Sequence, residues 1–119
     1  MFKETPPEAV FNSAAELFSI LATPVRLHII SALCNHEKNV SQLLEEVETT
    51  QPNMSQHLST LYRAGLLARR RDGTQIYYRI QSERVALLCR AVCTQMAIEM
   101  EPAADIPAAE RLLPAGARG

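Results

Sequence analysis

The sequence predicts a mainly α-helical fold that carries a β-hairpin wing, an α+β arrangement, and three observations lead there. Apolar residues recur at helical spacing in five separate stretches. Between residues 67 and 80 the pattern switches to a period of two around Asp72-Gly73, which signals a hairpin. Immediately before that hairpin lies a helix whose exposed face is polar yet almost uncharged.

Met1 to Pro7 reads as a loose arm, with Pro6 and Pro7 at the entry to a first helix from about Glu8 to Leu21. Val10, Ala14, Leu17, Phe18 and Leu21 line one face of it. Thr23 is placed to cap a second helix with Pro24 at its first position, and Val25, Leu27, Ile29, Ile30, Leu33 and Cys34 make that helix apolar nearly all round. After a polar break at 35–39, Val40, Leu43, Leu44 and Val47 form a short third helix that Ser41 is positioned to start. Thr50 caps the fourth helix, Pro52 sits in its first turn, and Gly65 ends it. Met54, Leu58, Leu61 and Tyr62 are its expected buried stripe. Residues 82–100 return to helical period through Val85, Leu88, Cys89, Val92 and Met96, with Met100 continuing the stripe. The domain thus covers residues 8–100, and 101–119, with three prolines among Ala and Gly, reads as a disordered tail.

The third helix, a short turn and the fourth helix make a helix-turn-helix, and the hairpin behind it makes the motif winged. A solvated helix would be laced with Lys and Glu, whereas Gln51, Asn53, Ser55, Gln56, Ser59 and Thr60 offer short amides and hydroxyls. Such groups suit hydrogen bonding to base edges in a major groove. Arg63, Arg69, Arg70, Arg71 and Arg79 face only Asp72 within this segment, although the whole chain has a formal net charge of -1. A local excess of that kind neutralises phosphates and releases counterions. An arginine run alone reads equally well as solvated surface; the polar helix beside it points to double-stranded DNA.

At 119 residues the chain is long enough for one core, and 47% hydrophobic against 21% charged residues excludes wholesale disorder. No apolar run approaches a membrane span and no signal-peptide pattern opens the chain, so a cytoplasmic location is expected. Three cysteines, an odd number, argue against a disulfide framework. The apolar faces of the first and last helices exceed what a small winged core covers, which implies a twofold homodimer through those helices. Paired recognition helices in such a dimer fit half-sites about 34–36 Å apart, hence an inverted-repeat operator.

Leu21-Ala22-Thr23-Pro24-Val25-Arg26-Leu27, the run from Met54 to Leu67, and Gln75-Ile76-Tyr77-Tyr78-Arg79 together resemble the ArsR/SmtB family of bacterial winged-helix repressors, over about residues 10–100. The resemblance implies a dimer that binds an operator until a captured inducer releases it. By position it implies base or phosphate contacts at Gln51, Asn53, Ser55 and Gln56, and a wing from Arg69 to Gln75. The metal sites of the family do not carry over. Its paired cysteines would fall near Val40 to Leu43, and its zinc ligands on Ser82, Arg84, Gln95 and Ile98. Zinc, nickel or cobalt sensing is therefore not expected. Gln51-Pro52 and Gln75-Ile76 most resemble the branch that senses reactive sulfur or oxidants with two cysteines, which would sit at Ser31 and Ala97 here.

Against that branch, Cys34 is displaced three residues along the second helix, about 4.5 Å, and Cys93 four residues back along the last, about 6 Å. If the two helices run antiparallel these shifts coincide, and Cys89 joins Cys93 on one face at i, i+4. Two chemistries fit. One is a disulfide or polysulfide link between Cys34 and Cys93. The other is a three-thiolate site of Cys34, Cys89 and Cys93 for a soft inducer such as As(III), Sb(III) or Cd(II). The remaining reading, placed behind both chemistries, is that all three are small core hydrophobes. Of His28, His36 and His57, only His57 lies in the fourth helix, where packing or a phosphate contact is the expectation. No phosphate loop and no paired acid and base are present, so no enzyme and no resident cofactor are expected. A winged-helix module that binds protein rather than DNA is the alternative from another class.

Overall fold

The structure is a computed structural model and describes residues 7–101. The elements run α1 (Glu8–Leu21), α2 (Pro24–Ala32), β1 (Lys38–Asn39), α3 (Val40–Glu46), α4 (Gln51–Arg63), β2 (Leu67–Asp72), β3 (Gln75–Ile80) and α5 (Glu83–Met100). The expected arm before Pro7 and tail after Glu101 lie outside the described residues. No single helix among the described residues is long and apolar enough to cross a membrane.

Local chemistry explains most boundaries. Thr23 Oγ1 accepts a hydrogen bond from the Arg26 amide at 3.0 Å, and Thr50 Oγ1 one from the Asn53 amide at 3.2 Å, each with a proline at the start of the helix that follows. Helix α3 starts from Asn39 rather than from Ser41. Asn39 and Gln42 exchange backbone and side-chain hydrogen bonds of 2.8 Å each way, a reciprocal cap that satisfies two orphan donors, and Ser41 is simply exposed. At the other end of α4, Gly65 takes φ +83° while the Leu66 amide reaches Leu61 O at 3.0 Å and the Gly65 amide reaches Tyr62 O at 3.0 Å. That is a Schellman stop, and glycine supplies its left-handed residue without a Cβ penalty.

The sheet has three antiparallel strands in the order β1-β3-β2. Two-residue β1 carries no local sequence signal; it exists because Lys38 and Asn39 pair with Tyr78 and Tyr77. In the hairpin, Asp72 pairs with Gln75, so the two loop residues are Gly73 and Thr74, one step later than an Asp72-Gly73 turn. Gly73 has φ +67°, which suits glycine at the first position of a primed turn.

Among the described residues packing separates two units, one up to Cys89 and one from Arg90 onward. The first holds the core, in which Ile29, Ile30, Leu43, Met54, Leu58, Leu61 and Val85 are wholly buried and Leu21, Leu33, Val47, Leu66, Leu67, Tyr78 and Cys89 nearly so. Burying each large aliphatic side chain contributes roughly 1.5–3 kcal/mol. Tyr62 does not belong to this set. Its side chain is 37% exposed and lies under Arg69. In the second unit the described part is the latter portion of α5, and every residue from Arg90 to Glu101 is exposed.

Candidate nucleic-acid interface and cysteines

Helix α4 presents the polar face that its spacing predicts. Met54, Leu58 and Leu61 turn into the core, which leaves Gln51, Asn53, Ser55 and Gln56 exposed. Ser59 is half-buried, and its hydroxyl accepts from Arg63 Nη1 at 3.2 Å, so it is already engaged within the helix. No carboxylate lies within Gln51–Arg63, and the only full charge on α4 is Arg63 in its last turn, where a cation complements the helix dipole.

Arg26 holds this helix from behind. Its Nη1 donates to Ile20 O in the last turn of α1 at 2.8 Å, and its Nε donates to His57 Nδ1 at 3.0 Å. One guanidinium thereby ties α1, α2 and α4 together. Burial, and then the positive charge of Arg26, hold the His57 imidazole below its ordinary pKa, so that it stays neutral and keeps a lone pair for Arg26. His57 is therefore a packing residue of the recognition helix.

The three wing arginines have three different environments. Arg69 stacks its guanidinium 3.9 Å from the Tyr62 ring centroid, which braces the base of β2 against the end of α4. Arg70 points to the other face of the hairpin, 4.7 Å from the Tyr77 ring, where Nε donates to both Glu37 carboxylate oxygens at 3.0 and 3.2 Å and Nη2 donates to Oε2. Asp72 Oδ2 is a further 3.8 Å contact. Arg71 is exposed and has no ion pair among the described residues. The wing is thus less uniformly free than its composition implies: Glu37, 33 residues before Arg70, supplies a second opposing charge. Gln75 is exposed opposite Asp72 at the hairpin tip.

From the first residue of β1, Lys38 Nζ donates to Ala32 O at 2.6 Å, closing the end of α2, and pairs with Glu46 of α3 at 3.3 Å. Neither Arg26, Glu37 nor Lys38 carries a local sign of these roles. Only the T-P-V-R run around Arg26 marks its neighbourhood.

Cys34 lies beyond α2, not on it. The helix ends at Ala32 with Leu33 as its cap, and the Cys34 amide bonds Ser31 O at 3.2 Å in a turn. A shift counted along a helix axis consequently does not apply to it. Cys34 is half-buried, Cys89 is 4% exposed and Cys93, one turn later on α5, is exposed. Among the described residues no three His, Cys, Asp or Glu side chains are grouped to hold a metal ion.

Comparison with known proteins agrees with this geometry. The pattern described as "Bacterial regulatory protein, arsR family" matches residues 23–69, from the cap of α2 to the first wing arginine. The HTH-type transcriptional regulator KmtR of Mycobacterium tuberculosis is 41% identical over 73 residues, 61% of this chain and 56% of that protein, so the chain spans little more than half of KmtR's length. The crystal structure of the transcriptional repressor BigR from Xylella fastidiosa matches with a TM-score of 0.69 and 34% identity, over 73% of this chain and 89% of that one. The homodimeric winged helix-turn-helix DNA-binding domain of Mb0332 from Mycobacterium bovis, solved in solution, matches with a TM-score of 0.67 and 29% identity, over 85% and 94%. A helix-turn-helix capped at Asn39 and Thr50, a wing built on β2 and β3, and these likenesses place the chain in the ArsR family of bacterial regulatory proteins.

Proposed function

We propose that the protein is a homodimeric transcriptional repressor that binds an inverted-repeat operator and is released by thiol chemistry at Cys34 and Cys93. The observation that carries the DNA reading is the exposed, carboxylate-free face of Gln51, Asn53, Ser55 and Gln56, with the Arg69 to Arg71 strand braced on the same helix through Tyr62. Amides on that face suit base edges, and the arginines suit phosphate. BigR is a transcriptional repressor and Mb0332 a homodimeric DNA-binding domain, which supports both parts of the reading. Exposed Phe11 and Phe18 on α1, and Val92, Met96 and Ile98 on α5, supply apolar surface for a second copy.

For the switch, burial separates the cysteines. Cys34 and Cys93 reach solvent while Cys89 does not, which favours a two-thiol mechanism over a three-thiolate site for As(III), Sb(III) or Cd(II). A hydroperoxide would take two electrons from the pair, forming the S–S bond and leaving as an alcohol and water with the two thiol protons. Two equivalents of a persulfide would instead persulfidate both thiols, and the two persulfides would condense to a trisulfide link, releasing two donor thiols and hydrogen sulfide. Titration of operator DNA followed by fluorescence anisotropy, before and after oxidant, polysulfide or arsenite, tests the scheme. Cys34→Ser and Cys93→Ser should each bind like the wild type and fail to release, whereas Cys89→Ser should release normally. Full release from Cys34→Ser excludes the pair; loss of release in Cys89→Ser moves the mechanism to soft-ion capture.

A further inference from the structure

We propose that Glu37 is an affinity-setting residue whose carboxylate occupies, on Arg70, the place of a DNA phosphate. The inference rests on the reading of the wing as a phosphate-binding element. Arg70 Nε and Nη2 both aim at the Glu37 carboxylate, the two-pronged geometry by which a guanidinium takes a phosphate. Glu37 is one residue before the Lys38–Tyr78 pair, so the antiparallel register continued by one step brings it level with Arg79, whose charge also acts on the carboxylate. Arg70, through its hydrogen bonds and then its charge, together with Arg79, draws the Glu37 carboxyl below the ordinary carboxylate range and keeps it ionised. Side-chain exposures of 46% for Arg70 and 32% for Glu37 leave the pair open to displacement by an incoming anion.

The ion pair is not what builds the wing. Six residue pairs between β2 and β3 set the hairpin, and β1 pairs with β3 independently of Arg70. Removing the carboxylate leaves the ladder and frees Arg70 Nε and Nη2, with only the 3.8 Å contact of Nη1 to Asp72 remaining. In an exposed setting such a pair is worth little to stability, but for DNA binding it withdraws one counterion-releasing contact per wing. Of the three wing arginines, Arg71 then supplies the ready phosphate contact and Arg70 a contact that must first be freed.

The test is salt-dependent binding of a random-sequence duplex and of the operator, by anisotropy, with the full chain and its Glu37→Gln, Arg70→Ala and doubly substituted variants. Glu37→Gln should bind random duplex three- to tenfold tighter, and log K against log salt should steepen by about 0.9 for each wing engaged. Arg70→Ala alone should change the slope less than Arg71→Ala does, and adding it to Glu37→Gln should cancel the gain. Equal or weaker binding by Glu37→Gln, or a gain that survives Arg70→Ala, overturns the role of Glu37 while leaving the interface standing. A wild-type protein without salt-dependent duplex affinity overturns the interface itself.

Discussion

His57 shows how one hydrogen bond from α2 onto α4, together with burial, gives a residue a pH dependence. Folded, its pKa lies below the ordinary 6.5, because burial and Arg26 disfavour the imidazolium. On acidification the unfolded chain takes up this proton first, so the stability His57 contributes is present above about pH 6.5. It is lost as pH falls from there through the folded value, and below that no further loss arises from this site. Urea midpoints measured between pH 7.5 and 5 should therefore fall on acidification, and His57→Gln should flatten that fall. A midpoint in His57→Gln that tracks the wild type at every pH would show that the Arg26 contact is not the titrating one. Tyr62 belongs to the same scale. Helical spacing places it with Met54, Leu58 and Leu61, yet a ring at the edge of that stripe was free to serve Arg69 instead.

On the proposed reading, helix α4 and the hairpin divide the labour of an interface between direction and charge. Amide side chains that read base edges contribute to the difference between operator and random duplex, whereas an unpaired arginine contributes to both alike. Gln56→Ala is accordingly expected to narrow that difference by about 1–3 kcal/mol with the salt slope unchanged. Arg71→Ala should weaken both duplexes together and reduce the slope by about 1 for each wing engaged. Competition titrations at two salt concentrations separate the two, and a salt-insensitive loss in Arg71→Ala would remove that residue from the phosphate contacts. Much of this element was legible beforehand. The Thr50 cap, Pro52, the Gly65 stop and the Met54, Leu58, Leu61 stripe all act within four residues of one another, where sequence spacing is nearly the same as distance. The turn lies one residue later than Asp72-Gly73 indicates, because Asp-Gly and Gly-Thr both allow a two-residue loop. Pairing of Asp72 with Gln75 along the ladder selects the second.

For the whole molecule, the apolar surface left over after one core is built becomes the argument for a second copy. Phe18 is 56% exposed on α1 and Met96 52% exposed on α5, so neither supports the core of its own chain. Phe18→Glu and Met96→Glu should therefore fold yet sediment near the 13.2 kDa of one chain rather than at twice that mass. Each should also lose more than tenfold in operator affinity, because two linked half-site contacts become one. A Met96→Glu protein that stays dimeric would take α5 out of the interface.

By itself the sequence determined the helices, the Thr23 and Thr50 caps, the hairpin, the polar face of α4 and the surplus apolar faces, since each depends on neighbours a few residues apart. Tertiary structure alone decided that Arg26 meets His57 across 31 residues and Arg70 meets Glu37 across 33. Asn39 rather than Ser41 opens α3 through its reciprocal bonds with Gln42, three residues on, a local Asn-x-x-Gln pattern. Cys34 lies outside α2 because the helix closes at Ala32, whose carbonyl accepts from Lys38 six residues on, while the apolar pattern runs past that stop. Periodic order is a property of adjacent residues, whereas charge partners and burial are settled only when remote segments are brought together by the core.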